Sequence, residues 1–336
     1  MTQQSPWHRT SGPSQSRELL LLLSGEASSI PEAEARALVL MEDDSARFRM
    51  GEPRILLAST DAGPVPISSR VAFCRRVGNL VPDGDFGEEE LRILRRGTYR
   101  LRTFNLQESA DGDSLVSEIA DRIGGKVSLE NPSVELTIVR GQRDYLAMTS
   151  PGLMNQSWAT RRPRKRKFFH PAAIFPKLSR ALVNLTRVRA GETLLDPFCG
   201  TGSLLLEACE VGVVPIGLDI DRRMVRGALR NMLGFDQRWL GLARADVSST
   251  PLRTVDAIST DVPYGRASST SGSDTRHIIE ALLVSSLRLL STGRRLVLMH
   301  PRSVEVQDHA GFQLEEEHHL YIHRNLTRTI SVFRRV

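Results

Sequence analysis

The chain has 336 residues, 40% hydrophobic and 25% charged, which is the composition of a globular protein of two or three domains and excludes global disorder. Its longest conspicuous apolar run, Leu19 to Leu23, has five residues. That is far short of the roughly 20 of a membrane helix and the about 7–15 of a signal-peptide core, so a cytoplasmic protein with no membrane partner is expected.

The net charge of +6 is uneven. Residues 1–150 hold 18 basic and 22 acidic side chains, whereas residues 151–336 hold 27 and 17. An excess confined to the second half points to a polyanion as partner. Cys74, Cys199 and Cys209 are too few and too scattered for a disulfide framework or a zinc site.

Residues 1–17 are polar and read as a disordered tail. Leu19–Leu23 predicts a strand, Ile30–Leu40 a helix opened by Pro31 with Glu32 and Glu34 in its first turn, and Arg54–Ser59 a strand. Together these form a small α+β unit over 18–70. A second unit spans 71–150. Phe86–Arg95 reads as a helix, and so does Ser114–Ile123, whose Leu115, Ile119 and Ile123 recur every four residues before Gly124-Gly125. Strands follow at Val127–Leu129, Val134–Val139 and Tyr145–Met148. Residues 151–170 read as a linker. Its run Arg161, Arg162, Pro163, Arg164, Lys165, Arg166, Lys167 suits phosphate contact.

From 171 onward strands alternate with helices. Strands are predicted at Thr193–Phe198, Val214–Ile220, Leu240–Ala245, Val255–Thr260 and Arg295–His300. Helices are predicted at Phe175–Asn184, Ser203–Cys209, Arg222–Leu233 and His277–Leu290. This alternation indicates a parallel sheet covered on both faces. Leu314–His323 and Thr327–Phe333 have no helix between them, which predicts an antiparallel hairpin at one edge.

The sharpest local signal is Leu194 to Ala208, L-L-D-P-F-C-G-T-G-S-L-L-L-E-A. A strand runs into Asp196, then a turn with Gly200 and Gly202, then a helix. No GxxxxGK[ST] phosphate loop is present, and GxGxxG is incomplete because Leu205 stands where the third glycine belongs. An acid before the glycines repels a pyrophosphate and attracts an ammonium, such as the amino group of S-adenosylmethionine. The next strand ends at Asp219, where a carboxylate can accept ribose hydroxyls. The third ends at Asp246, where one can accept an adenine amine. Phe198, Thr201, Ile220 and Val247 adjoin these acids and complete the candidate cofactor site. Any one strand-terminal Asp is more often a cap or turn residue; three behind one glycine loop argue for a ligand.

The fourth strand ends in Asp261, Val262, Pro263, Tyr264 and Gly265. The Asp261 carboxylate and the Val262 carbonyl could hold the hydrogens of an exocyclic base amine, a poor nucleophile because its lone pair is delocalised. Tyr264 could stack on the base, and Pro263 would stiffen the loop. A carboxylate suits the two adjacent donors of guanine better than the donor–acceptor edge of adenine. Cys199 reads as packing beneath the cofactor, His170 as a pocket or structural residue, and His318, His319 and His323 as surface positions rather than a metal site.

D-P-F-C-G-T-G with L-D-I-D and D-V-P-Y-G resembles the class I S-adenosylmethionine-dependent amino-methyltransferases. Phe168 to Leu185 and Tyr321 to Val332 resemble, more narrowly, the archaeal THUMP-domain tRNA guanine-N2 methyltransferases. Gly124 to Val139 looks like the end of a THUMP domain. The resemblance implies a ferredoxin-like domain at 18–70 and a THUMP RNA-binding domain at 71–150. It implies a Rossmann-like methyltransferase domain at 171–336 that adds one or two methyl groups to N2 of a tRNA guanosine, guanosine 10. It implies tRNA as the partner, with no obligate protein partner evident, and direct displacement without a metal. The family's D-P-P-Y is here D-V-P-Y, with Val262 replacing the first Pro. Other readings of the same residues are another tRNA position, ribosomal RNA, adenine N6 in DNA or RNA, and a non-catalytic RNA-binding protein.

Overall fold

A computed structural model describes residues 17–27, 29–82, 85–106, 113–149, 151, 157–234, 238–263, 272–323 and 326–336. All of the expected tail except Arg17 lies outside the described residues, and Arg17 opens the first strand. The chain divides into two compact units. One comprises the chain as far as Gly25 together with Glu42–Gln156, and the other comprises Glu26–Met41 with Ser157–Val336.

The first strand is β1 (Arg17–Leu23), followed by helix α1 (Ile30–Glu42), β2 (Arg47–Glu52), β3 (Ile55–Thr60), α2 (Pro64–Arg70) and β4 (Cys74–Val81). Then come α3 (Glu88–Arg96), β5 (Thr98–Asn105), α4 (Asp113–Ile123), β6 (Lys126–Val127), β7 (Val134–Arg140) and β8 (Asp144–Thr149). The eight strands form one sheet in the order β2-β3-β1-β4-β8-β7-β5-β6. The leucine run of β1 lies inside that sheet, paired antiparallel with β3 and β4. Leu19 to Leu22 are fully buried, and a strand covered on both faces demands such an uninterrupted apolar run. In α3 and α4, Leu94, Ile119 and Ile123 pack against Tyr99, Leu136 and Ile138 of the sheet, so the four-residue spacing predicted for α4 marks its buried face.

The boundary expected between 70 and 71 does not separate two sheets, because Leu20 of β1 pairs with Gly78 of β4. The sequence C-R-R-V-G-N-L-V of β4 hides a strand, with two arginines and a glycine breaking its alternation. The glycine has a steric cause. A Cβ at Gly78 would lie 2.5 Å from Thr149 Cγ2 and 2.6 Å from the Met148 carbonyl oxygen, and Met148 pairs with Asn79 across the β4–β8 ladder.

The second unit continues with α5 (Pro176–Leu185), β9 (Thr193–Asp196), α6 (Ser203–Glu210), β10 (Val214–Asp219), α7 (Arg222–Met232), β11 (Gly241–Arg244) and β12 (Ala257–Asp261). It closes with α8 (Gly272–Leu289), β13 (Arg295–Pro301), β14 (Phe312–His323) and β15 (Leu326–Arg335). Its sheet order is β11-β10-β9-β12-β13-β15-β14. The first five strands pair in parallel and β15 antiparallel with both β13 and β14. This is the expected parallel sheet with an antiparallel C-terminal hairpin at one edge. The order reverses at β9, between β10 and β12, and a crevice at such a switch point is where open α/β sheets bind ligands.

Helix α1, expected within the 18–70 unit, groups up to Met41 with the second unit. Its Glu34 is fully buried and accepts a 2.7 Å hydrogen bond from the Asn184 amide of α5. The Arg189 guanidinium donates to the Met41 carbonyl, and Ser29 Oγ lies 2.9 Å from His318 Nδ1. Residues from Ser157 onward, expected as linker, also belong to this unit.

Replacing Gly78 by Ala should force β4 and β8 apart and lower stability by about 1–3 kcal/mol, the cost of overpacking a closed site. A fall in the urea midpoint relative to the parent protein measures it.

Candidate active site

At the carboxyl end of β9 the chain turns through Pro197 to Gly202 into α6. Gly200 and Gly202 adopt φ of +50° and +80°, a left-handed region that favours glycine. A Cβ at Gly200 would meet only the Phe198 carbonyl, 4.0 Å away, so the loop backbone is open to close approach. The Cys199 amide donates to the Leu218 carbonyl of β10 at 2.8 Å, and the Gly202 amide to the Cys199 carbonyl at 2.7 Å. Cys199 is buried among Leu205, Leu206 and Ala228. Burial pushes its thiol well above the usual range, so it packs the loop and is no nucleophile. Thr201 is buried too, its Oγ1 lying 3.4 Å from Ser203 Oγ.

Three of the expected carboxylates converge on this turn. Asp196 is 1% exposed, and its Oδ1 accepts from Thr260 Oγ1 of β12 at 2.6 Å and from the Phe198 amide at 3.2 Å. Burial, with like charge from Asp219 and Asp261, pushes its carboxyl up to about 7. Asp219 Oδ2 accepts from the Gly200 amide at 2.9 Å and Oδ1 from the Asp221 amide at 2.8 Å. A loop amide that would cradle a phosphate is thus engaged by an acid. Burial raises Asp219 as well.

Asp246 plays a different local part. It caps a short 3-10 turn, its Oδ1 accepting from the Ser248 amide at 2.8 Å and from Ser248 Oγ at 2.6 Å; these bonds hold it below the usual carboxylate range. Val247 is buried in the core, Phe198 packs partly against that core, and Ile220 is 61% exposed beside Asp219.

Asp261 closes β12. Its Oδ2 accepts from Arg328 Nη1 of β15 at 2.8 Å, while its Oδ1 is buried with no hydrogen-bond partner among the described residues. Burial pushes its carboxyl up to about 6 against the opposing pull of Arg328. Val262, standing where the related motif has Pro, donates its amide to the Met299 carbonyl at 2.9 Å and is itself fully buried. A ladder bond and core packing hold the loop where a proline ring would otherwise stiffen it. Pro263 is half-buried, and Tyr264 lies outside the described residues.

The basic run splits in two. Arg161 Nε lies 2.8 Å from Glu207 Oε1 and its Nη1 3.1 Å from Glu210 Oε2, with the guanidinium over the Trp158 ring. Arg180 meets the other oxygen of the fully buried Glu207 at 2.8 Å. Arg166 donates to Ser203 Oγ at 2.6 Å and to the Arg161 carbonyl at 3.0 Å. Arg162, Arg164, Lys165 and Lys167 are exposed. Asn231 of α7 ties the following segment to the glycine loop. Its Oδ1 accepts from the Phe168 amide at 2.8 Å, and its Nδ2 donates to the carbonyls of Phe168 at 3.0 Å and Thr201 at 2.9 Å. Gly227 admits the Phe168 ring, since a Cβ there would lie 2.1 Å from it. The segment is therefore the underside of the loop.

The histidines have structural partners. His170 Nδ1 accepts from the Ala172 amide at 3.3 Å, and His318 lies between Ser29 Oγ and Glu316 Oε2. His319 Nδ1 lies 3.1 Å from Thr329 Oγ1. The side chain of His323 is outside the described residues. Arg328, Thr260, Glu207 and Asn231 are not singled out by the sequence, although Glu207 stands within the quoted Leu194–Ala208 stretch and Arg328 within the Tyr321–Val332 segment.

The model of the family described as RMKL-like, methyltransferase domain, matches residues 163–330. The chain belongs to that family. A tRNA (guanine(10)-N2)-dimethyltransferase of Methanothermobacter thermautotrophicus is 31% identical to this methyltransferase, over 95% of this chain and 100% of its own. One of the same description from Pyrococcus abyssi is 27% identical over 90% of this chain and 95% of its own. A mouse U6 snRNA (guanine-N(2))-methyltransferase, THUMPD2, is 26% identical over 81% of this chain and 48% of its own.

Two outcomes follow for this methyltransferase. Burial pushes the Asp261 carboxyl up to about 6, so if its charged form acts on the substrate, kcat/KM should fall about tenfold per pH unit well below that value; a pH–rate profile reads this. Glu207→Ala should leave Arg161 and Arg180 facing a buried void and cost about 3–5 kcal/mol, seen as a lowered Tm.

Proposed function

We propose that this protein transfers methyl groups from S-adenosylmethionine to the exocyclic N2 of guanosine 10 in tRNA, in one or two rounds. The observation that carries the reading is Asp261, an acid at the switch point of a methyltransferase sheet with one oxygen held by Arg328 and the other buried without a partner among the described residues. The curated relatives named for this reaction support the substrate.

The residues present fit a positively charged nucleoside donor. Asp196, Asp219 and Asp261 bring like charges together around an open glycine turn, and a cation relieves that repulsion. Asp219 would accept from ribose hydroxyls through the lone pairs that the Gly200 and Asp221 amides leave over. Asp196 would attract the donor's ammonium, Ile220 and Phe198 would offer apolar surface to its base, and Asp246 would reach the adenine amine through Oδ2. When bound, S-adenosylmethionine supplies an electrophilic methyl group.

Asp261 does the work on the acceptor. Its carboxylate accepts the N2–H, draws electron density towards nitrogen and stabilises the positive charge that grows there. As the N–C bond forms and the sulfur–methyl bond breaks, leaving the donor as a neutral thioether, N2 must lose a proton. A carboxyl that burial pushes up to about 6 is basic enough to take it and weak enough to release it at neutral pH. The Val262 carbonyl would hold the second amine hydrogen, and Tyr264 would stack on the base.

The N-terminal strands and helices would engage the tRNA as a ferredoxin-like region at 18–70 and a THUMP domain at 71–150, although both contribute to one sheet. Arg162, Arg164, Lys165 and Lys167 would contact phosphates. Arg161 and Arg166 would serve the fold instead, because their guanidinium groups are engaged internally.

Incubating the protein with labelled S-adenosylmethionine and tRNA transcripts tests the reading. Label should enter a transcript with guanosine at position 10 and vanish when that base alone is changed. Label that persists, or that enters ribosomal RNA or DNA instead, overturns the assignment. Asp261→Ala should lose about a hundredfold or more in rate, the scale of removing a group that stabilises transition-state charge, while calorimetry finds S-adenosylmethionine binding retained.

A further inference from the structure

Arg328 belongs to none of the motifs that mark the cofactor or acceptor loops, yet it is the one cation found against Asp261 among the described residues. Its position is fixed by the sheet. On β15 it stands opposite Pro301 of β13 and opposite Leu320 of β14, in the register that also pairs Met299 with Ile330. Met299 in turn pairs with Asp261 on β12. The guanidinium therefore crosses the end of β13, where Nη1 lies 2.8 Å from Asp261 Oδ2 and 3.7 Å from the Met299 sulfur. Only 13% of the arginine side chain and 16% of the aspartate side chain are exposed, so solvent screens the pair weakly.

The geometry divides the two oxygens of Asp261. Oδ2 is anchored, and Oδ1 is a buried acceptor with no donor among the described residues. Left to itself, a carboxylate in this position would rotate or take up a proton. The other charged group that faces it is Asp196 of β9, whose own carboxyl is raised in part by Asp261, and a second negative charge favours protonation.

We infer that Arg328 is the positioning residue of the acceptor site: it fixes the Asp261 carboxylate through Oδ2, keeps it charged, and so presents Oδ1 to the amine hydrogen of the base. This rests on Asp261 as the acceptor of that hydrogen, the reading given above. The hairpin β14–β15 is thereby part of the reaction centre, although its residues lie far along the chain from both loops. The opposition between burial, which raises the Asp261 carboxyl, and Arg328, which lowers it, agrees with the geometry.

The test compares Arg328→Met, which keeps length without charge, with Arg328→Lys, which keeps charge without the fork. Two readouts on the full chain are needed. The first is the pH profile of methyl transfer to a tRNA transcript. Arg328→Met should lose roughly tenfold to a hundredfold in kcat at neutral pH, the scale of one charge-assisted hydrogen bond. Its acid limb should move to higher pH, and Arg328→Lys should restore part of both, while S-adenosylmethionine binds all three proteins alike in calorimetry. The second readout needs no RNA: a 13C-carboxyl titration of aspartate-labelled protein, with Asp261→Asn to assign the resonance, should show Asp261 titrating higher in Arg328→Met. An unmoved Asp261 titration, or an unmoved acid limb in an active Arg328→Met protein, overturns the inference. If the parent protein methylates no tRNA guanosine, the substrate reading fails, and the carboxyl titration still decides the role of Arg328.

Discussion

Asp196 is a carboxylate withdrawn from water, and its Oδ1 joins the end of β9 to Thr260 at the end of β12 and to the first amide of the glycine turn. The rest of the site depends on this bond set. It fixes the start of the turn that presents Gly200 and Gly202, and it stands one residue before Asp261 on the neighbouring strand. It also builds an electrostatic tension into the sheet, because Asp219 and Asp261 lie close enough to raise it further. A protein tolerates gathered like charges when something positive is to arrive or is already present. Here Arg328 is present on one side, and the methyl donor of the proposed reaction would supply the rest.

How much of this could be read from the chain follows from the range of each interaction. The glycine turn, the carboxylates at successive strand ends and the C-terminal hairpin are written in contiguous residues, and each appears in the structure. Asp246 shows the limit of that logic. A strand-terminal acid beside Ser248 caps a turn with one oxygen, and the letters alone do not separate a cap from a ligand. Arg328 was out of reach because its partner is 67 residues away and the contact exists only through the register of β12, β13 and β15. Composition likewise reported a basic run without saying that Arg161 and Arg166 turn inward onto Glu207, Glu210 and Ser203.

The N-terminal half hid its organisation for a steric reason. Alternation is the usual mark of a strand, and β4 lacks it because Gly78 must admit the backbone of Met148. With β4 unread, residues 18–70 and 71–150 looked like separate units, whereas β4 is the strand that joins β1 to β8. The five leucines of β1 carried the clue, since an apolar run without polar interruption belongs inside a sheet and not at its margin.

Residues 26–41 give the architecture a consequence for how such a protein can be rearranged. The catalytic half is discontinuous in sequence, for it includes α1, whose Glu34 receives the Asn184 amide and whose last turn receives Arg189. Cutting the chain near Ser157 would not release a self-sufficient enzyme. It would strip away a helix and leave Asn184, which is wholly enclosed, with an amide facing a hole. Transplanting this methyltransferase onto a different module therefore requires carrying the early helix along, and shuffling by simple end-to-end fusion is closed to it.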